Sequence, residues 1–322
     1  LHRSHLIQKI QGFQHQTTLE LTLQNFIDFF NVPLQIIYKR GGWLRLLHDA
    51  GKLESFDSLH EKEIISCISK KWLATKSSSY FSFILKLAKK KFNISLANYS
   101  EEEKQMMLML HYDVWKNAGG FETLEQSIRE IGKNASLVDE IVQVLEILLD
   151  KIDFKEVKIN LPYTQPLKVH ARFTRDQILA AFGLSTFKKK STSREGVAPC
   201  ADLNTELLFI NLIKSEEDFS PTTMYDDYAI NESLFHWQSQ NSIGPDTPKG
   251  ISYIDHESTQ KKILLFVREK NRDEYGNTMG YVFVGEGMLK EHYGERPMSI
   301  KWKLSEPMPH YLWKDAAKLR VG

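Results

Sequence analysis

The spacing of hydrophobic residues changes near residue 153, and this change constrains the fold more than any other feature. Before it, apolar residues recur at helical period: Leu137–Leu149 carries them at 137, 138, 141, 144, 145 and 148, on one helix face. After Asp153, short segments rich in β-branched and aromatic residues alternate with Gly, Pro, Asn and Asp, which is typical of strands and turns. The sequence therefore predicts an α+β protein.

The N-terminal part is predicted to be an all-α helical domain over residues 1–159. Besides the helix at 137–149, helical periodicity covers 19–30, 61–73, 78–91, 101–116 and 122–132. Ser100 followed by three glutamates is a helix start, because Ser caps the first turn and acids suit its dipole. We expect this domain to couple neighbouring parts of a larger protein.

The C-terminal part, residues 160–322, is predicted to be a compact, closed β-barrel with flanking helices. Asn160–Pro166 contains two prolines and is expected to be an extended linker, and Thr174–Phe182 is a predicted helix stopped by Gly183. Five strands are predicted: Glu206–Lys214, Leu234–Gln240, Ile263–Glu269, Tyr281–Gly285 and Ser299–Leu304.

Composition limits the classes of function. The 322 residues are enough for two domains, and 42 basic against 41 acidic residues leave a net charge of +1. Nucleic acid would therefore have to be held by local patches rather than by overall charge. The chain begins Leu1-His2-Arg3 without a leader or an 18-residue apolar run, so we expect a cytoplasmic piece of a longer polypeptide with no membrane partner.

Catalytic and metal-binding motifs are not found. The sequence contains no phosphate-binding loop, dinucleotide fingerprint, HExxH or GxSxG, and Cys67 and Cys200 have no CxxC partner. His60-Glu61-Lys62 matches the HxK of phospholipase D nucleases, but Cys67 stands where their Asp is expected. We therefore expect no catalytic residue, metal or cofactor in this chain.

A short region mixes aromatic rings with hydrogen-bonding side chains, as a flipped nucleobase requires. The expected base-binding residues are Tyr225, Asp226, Asp227, Tyr228, His236, Trp237, Gln238 and Gln240. In the strand at 234–240, Trp237 faces one way and His236 and Gln238 face the other, so either face could line the pocket. The alternative is a barrel core in which local amides satisfy the Tyr and Trp side chains.

Contacts to a DNA backbone are expected from a basic, hydroxyl-rich loop and one strand end. These candidates are Lys188, Lys189, Lys190, Ser193, Arg194 and Arg268. The loop could equally be a solvated charge run, and Arg268 could simply pair with Glu269.

Several segments in order resemble the C-terminal domain of Type IV modification-dependent restriction enzymes of the staphylococcal type. They are Arg194–Val197, Asn204–Phe209, Phe219–Ile230, Leu234–Asn241, Phe266–Glu269 and Pro297–Trp302. Members of this family join a phospholipase D-type nuclease and a superfamily 2 helicase to this domain.

The resemblance implies an SRA/PUA-like domain that recognises 5-methylcytosine or 5-hydroxymethylcytosine in double-stranded DNA, by base flipping. It also implies partner helicase and nuclease domains in the same polypeptide, with ATP and Mg needed only by that parent enzyme. This chain is then expected to bind DNA and not to cut it. Two alternatives stay open: a protein-interaction module that docks the helicase, and a hydrolase built on Asp226, Asp227 and His236.

Overall fold

The N-terminal residues form the predicted helices, with three more that sequence periodicity missed. The structure, a computed structural model, describes residues 1–213 and 226–321. Its helices up to residue 150 are α1 Arg3–Gln16, α2 Leu23–Phe30, α3 Leu34–Lys39, α4 Trp43–Asp49, α5 Glu61–Lys70, α6 Ser78–Lys89, α7 Glu101–Val114, α8 Leu124–Ile131 and α9 Ala135–Asp150. The unpredicted helices are α1, α3 and α4.

Local sequence explains where several helices begin and end. The predicted cap of α7 is a capping box: Ser100 Oγ accepts from the Glu103 N–H at 3.1 Å, and Glu103 Oε1 accepts from the Ser100 N–H at 3.0 Å. Thr22 caps α2 with a single hydrogen bond, because its hydroxyl accepts from the Asn25 N–H at 3.1 Å, so this helix begins later than residue 19. Helix α1 has polar His and Gln on most of its surface and buries Leu6, Ile10 and Phe13, which hides its period in the sequence.

Two carboxylates are buried among these helices and are held by hydrogen bonds. Glu140 on α9 accepts from the Leu44 N–H at 2.6 Å and from the Tyr38 hydroxyl at 3.1 Å. Burial raises the pKa of Glu140 to about 7 although these hydrogen bonds oppose the shift. Burial likewise raises the pKa of Asp113, which accepts from Tyr80, Gln177 and Trp72, to about 6.

Strands dominate the rest of the chain. The elements are β1 Arg172–Phe173, α10 Arg175–Ala181, β2 Val197–Cys200, β3 Thr205–Asn211, β4 Tyr228–Asn231, β5 Leu234–Gln238, α11 Pro248–Ile254, β6 Lys262–Arg268, β7 Tyr281–Tyr293, β8 Ser299–Leu304 and α12 His310–Val321. Gly183, with φ of +75°, follows the end of α10 as predicted.

The described strands form a mixed sheet with two open edges, so the predicted closed barrel is wrong. The strand order is β2-β3-β6-β7-β8-β5-β4, with β1 beside β7, and β3 and β6 run parallel. Within the described residues β2 and β4 end this path without pairing to each other. The long strand β7 pairs with β6 and then with β8, and register shifts on both sides bend the sheet instead of closing it.

The chain divides into two compact units. The helical unit contains 1–153, 164–166 and 176–191. The sheet unit contains 154–163, 167–175 and 192–322. In the sheet unit, one face of the strands buries Phe235, Trp237 and Trp302 against Tyr253 of α11 and Leu312 of α12. Within the described residues, no helix combines the length and apolar character that a membrane span requires.

Candidate functional site

A cavity of about 400 Å³ lies in the sheet unit, near the carboxyl ends of the parallel strands β3 and β6. Its charged wall contains Arg175, Arg194, Arg268, Glu195 and Asp227. Its aromatic and amide side chains are Phe209, Trp237, Tyr281, Gln238, Gln240 and the pair Asn211 and Asn271. The size matches that of small-molecule sites, and the lining combines flat rings with donors and acceptors.

Strand register explains why polar groups gather here. Phe209 pairs with Phe266, and Asn211 pairs with Arg268, so the two apolar strands end in polar residues at the same level. Because side chains alternate between the two faces of a strand, Phe209 and Asn211 share one face of β3. The cavity therefore forms where the apolar surface of the sheet gives way to polar residues.

Arg268 is held by hydrogen bonds on all three of its guanidinium nitrogens. Nε donates to Asn211 Oδ1 at 2.6 Å, Nη2 donates to Asn271 Oδ1 at 3.0 Å, and Nη1 donates to the Met279 carbonyl at 3.2 Å. Its Cζ lies 4.4 Å from the centroid of the Tyr281 ring. The neighbouring Glu269 pairs with Arg172 at 3.0 Å, so the simpler alternative of an Arg268–Glu269 ion pair is wrong.

Arg175 and Arg194 form no ion pair with an acidic side chain of the described residues. The guanidinium of Arg175 lies 4.0 Å from the Phe209 ring centroid, and its Nη1 donates to the Glu195 carbonyl at 2.9 Å. Arg194 is exposed at the mouth of the cavity. Two cations near one cavity favour an anionic ligand.

Another part of the lining carries hydrogen-bond acceptors and donors, which come from Asp227, Gln238 and Gln240. Asp227 Oδ1 accepts from the Gln238 N–H at 2.9 Å, which fixes this carboxylate at the end of β5. The amide of Gln238 braces the start of β4, because its Oε1 accepts from the Asp226 N–H at 2.8 Å. Gln240 is exposed and makes no side-chain hydrogen bond within the two described ranges.

Trp237 belongs both to the cavity wall and to the core. It is only 4% exposed, and its ring meets Tyr253 edge-to-face at a centroid distance of 5.4 Å. The cavity therefore has Trp237 on one side of β5 and Gln238 on the other near the strand end, so both faces contribute to the lining.

Two predicted base-binding residues lie together outside the cavity lining. Tyr228 and His236 stack at 4.6 Å with an angle of 11°. His236 Nδ1 lies 2.7 Å from the Asp226 carbonyl, which can only accept, so Nδ1 carries a proton; Nε2 lies 2.9 Å from the Tyr293 hydroxyl. The side chain of Asp226 is exposed and does not line the cavity. Tyr225 lies outside the described residues.

The lysines of the predicted basic loop differ in their surroundings. Lys188 and Lys189 are exposed, whereas Lys190 Nζ pairs with Asp176 at 3.1 Å. Ser193 is half-buried and is not part of the cavity lining. Of the predicted backbone contacts, only Arg194 and Arg268 line the cavity.

Sequence reasoning missed Arg175, Phe209, Asn211, Asn271 and Tyr281. Phe209 and Asn211 belong to a correctly predicted strand, and Tyr281 begins another. The signal that could have found them is a polar residue directly ending an apolar strand, because such ends form ligand sites in sheets with parallel strands.

The HxK segment has a structural role at the start of a helix. His60 Nε2 lies 2.9 Å from Glu130 Oε1 and its ring packs edge-to-face on Trp115, so it anchors the start of α5. Residues 1–213 and 226–321 contain no group of three or more His, Cys, Asp or Glu that could hold a metal ion.

One protein family has a sequence model that matches part of this chain. The model of a family described as a domain of unknown function, DUF3427, matches residues 167–316. No curated protein matches the chain.

Two solved structures show distant similarity. Arabidopsis thaliana SUVH6 in complex with SAM is 9% identical, with a TM-score of 0.30 and 80% of this chain covered. The 5-hydroxymethylcytosine-specific restriction enzyme AbaSI is 15% identical, with a TM-score of 0.24 and 58% of this chain covered. The matched regions span 41% and 56% of those two chains. Neither likeness is close enough to assign a fold or a function.

Proposed function

We propose that this chain recognises 5-methylcytosine or 5-hydroxymethylcytosine in double-stranded DNA by taking the flipped base into the cavity at the ends of β3 and β6. The observation that carries the proposal is the convergence of Asp227, Gln240 and three arginines on a cavity of about 400 Å³. A flipped base needs a pocket with flat surfaces for stacking and polar groups for its Watson–Crick edge.

Asp227 is the group best suited to read cytosine. Its carboxylate can accept a hydrogen bond from the exocyclic amino group, the pairing that acidic side chains make with cytosine. The Gln238 N–H holds one carboxylate oxygen in place, so the group is fixed before a ligand arrives. Gln240 supplies an amide at the cavity mouth for the same base or for its neighbour.

Arg175 and Arg194 supply the contacts to phosphate. Neither pairs with an acid in the part of the chain that the structure describes, and both line the cavity. Guanidinium groups bind phosphate oxygens in pairs of parallel hydrogen bonds. Such a local cluster accounts for DNA binding by a protein of net charge +1.

In a larger context, we propose that the chain is the target-recognition part of an ATP-dependent Type IV restriction endonuclease. The ordered sequence motifs that resemble this family support the proposal. The nuclease and the helicase, with their ATP and Mg, would act as partner domains in the cytoplasm, and this chain would bind modified DNA without cutting it.

The hydrolase alternative needs Asp226, Asp227 and His236 in one cleft. Asp227 lines the cavity, whereas His236 is engaged by the Asp226 carbonyl and the Tyr293 hydroxyl. This arrangement favours a binding function. The interaction-module alternative predicts instead that DNA leaves the melting temperature of the protein unchanged.

Base flipping can be tested with 2-aminopurine placed beside the modified cytosine in a duplex. Because 2-aminopurine is quenched by stacking, extrusion of its neighbour should raise its fluorescence when the protein binds. The same duplex with unmodified cytosine should respond much less. Equal, flat signals from both duplexes at saturating protein would contradict flipping.

A further inference from the structure

Within the described residues, each guanidinium nitrogen of Arg268 donates a hydrogen bond to an uncharged acceptor. The partners are the side-chain oxygens of Asn211 and Asn271 and the backbone carbonyl of Met279. These hydrogen bonds hold the side chain in one orientation. Arg268 is therefore fixed in the cavity wall, whereas Arg194 is exposed at the mouth of the same cavity.

The guanidinium carbon of Arg268 lies over an aromatic ring. The distance from Cζ to the Tyr281 centroid is 4.4 Å. Tyr281 in turn meets Phe209 edge-to-face at 5.1 Å, and Phe209 stacks on Phe266 at 5.7 Å. The guanidinium is thus a rigid plane backed by several buried rings, and Arg268 also lines the cavity.

The buried rings themselves offer little free surface to a ligand. Phe209, Trp237 and Tyr281 are 7%, 4% and 3% exposed, and guanidinium groups lie over Phe209 and Tyr281. A base that enters this cavity meets arginine planes before it meets aromatic faces. Arginine planes stack on nucleobases as aromatic side chains do.

We propose that Arg268 is the stacking plate for the flipped base: it contacts the base with the plane of its guanidinium, sandwiched against Tyr281, and does not contact phosphate. This inference rests on the proposed function, because it assumes that a DNA base enters the cavity. It assigns the stacking role to Arg268 rather than to Trp237 or Tyr228.

The test compares two duplexes that differ only in the base. One carries 5-methylcytosine, and the other carries a tetrahydrofuran abasic site at the same position. Arg268→Lys keeps the charge and loses the plane, and Arg268→Gln loses both. Both variants should lower affinity for the methylated duplex by about tenfold or more, the scale of one stacked base. Affinity for the abasic duplex should change by less than about twofold, because no base is present to stack.

Arg194 provides the matched control, since it lines the same cavity but is exposed. Arg194→Gln, which removes a proposed phosphate contact, should weaken binding to both duplexes alike. The stacking role of Arg268 is overturned if Arg268→Lys binds the methylated duplex like the wild type, or if it loses affinity for both duplexes equally.

A second pair of variants decides the outcome if Arg268→Lys does not fold. Tyr281→Phe keeps the ring under the guanidinium and should bind like the wild type, whereas Tyr281→Leu should lose affinity for the methylated duplex only. Equal binding by these two variants overturns the inference.

Failure of the proposed function gives a different result. Wild-type protein that binds methylated and unmodified duplexes equally contradicts recognition of the modification, but the comparison of the methylated duplex with the abasic duplex still tests the role of Arg268. Wild-type protein that binds no DNA overturns both.

Discussion

The side chain of Asn211 accepts a hydrogen bond from Nε of Arg268 at 2.6 Å, between residues paired directly across the parallel strands β3 and β6. This contact places a fixed cation at the end of a largely apolar sheet, beside Asn271 and Tyr281. The ends of β3 and β6 also line the cavity, so the polar site follows directly from the register in which these two strands pair.

Asp227→Asn should lower affinity for a duplex containing 5-methylcytosine by about tenfold or more. The reason is that a hydrogen bond to a charged acceptor contributes about 1.5–3 kcal/mol, and the amide supplies a weaker acceptor or a donor. Fluorescence anisotropy titration measures the loss. Asp226→Asn is the matched control, because it removes one negative charge next door at a side chain outside the cavity lining. Equal effects of the two changes would rule out a specific role for Asp227.

Arg175→Gln and Arg194→Gln should each reduce the salt dependence of DNA binding. If each arginine neutralises one phosphate, the slope of log affinity against log salt should fall by about 1 for each change. Binding should be titrated across a series of NaCl concentrations. Lys303→Gln serves as control, since Lys303 is exposed and does not line the cavity. An unchanged slope in both arginine variants would contradict the phosphate contacts.

Trp237→Ala should destabilise the sheet unit by about 3–5 kcal/mol, the usual cost of removing a large buried aromatic side chain. Its ring packs on Tyr253 and Trp302 inside the core. Urea denaturation followed by tryptophan fluorescence or circular dichroism measures this effect. Trp237→Phe, which keeps a ring, should cost much less. A fully stable Trp237→Ala variant would show that the ring does not serve the core.

Glu140→Gln should flatten the pH dependence of stability. Because burial raises the pKa of Glu140 to about 7, the folded protein binds this proton more tightly than the unfolded chain does. Stability from this group is therefore highest at low pH and falls as pH rises from about 4.5 to about 7. Between pH 5 and pH 8 the wild type should lose roughly 2–3 kcal/mol more than the variant.

The measurement for Glu140 is urea denaturation at the two pH values. Glu146→Gln, on the exposed side of the same helix, should behave like the wild type. Parallel pH profiles for wild type and Glu140→Gln would show that Glu140 ionises in the folded protein as it does in water.

The sequence predicted which segments form elements better than it predicted how they pair. Alternation identified the strands containing Phe209 and Arg268, but their parallel pairing joins residues more than fifty positions apart and leaves no local signal. The two-residue strand at Arg172 and the short strand at Tyr228 are likewise defined by their partners. For this reason the sequence predicts a closed barrel where the structure has an open mixed sheet.

The candidate site was predicted in part. Asp227, Gln238, Gln240, Arg194 and Arg268 carry the expected residue types and line one cavity. His236 and Tyr228 have the same chemistry but lie outside the cavity lining. Their rings stack on each other, and His236 also contacts the Tyr293 hydroxyl. Composition alone cannot distinguish these two environments, because the difference lies in which tertiary partners each side chain meets. The roles assigned to all these residues stay predictions.

The most direct test of the central proposal is an anisotropy titration of this chain with three duplexes of one sequence, which differ only at a single cytosine. One is unmodified, one carries 5-methylcytosine and one carries 5-hydroxymethylcytosine, and the comparison is repeated in several flanking sequences. We predict tighter binding to at least one modified duplex, and loss of that preference in Asp227→Asn. Equal affinity for all three duplexes in every flanking sequence would contradict the proposal that this chain reads modified cytosine.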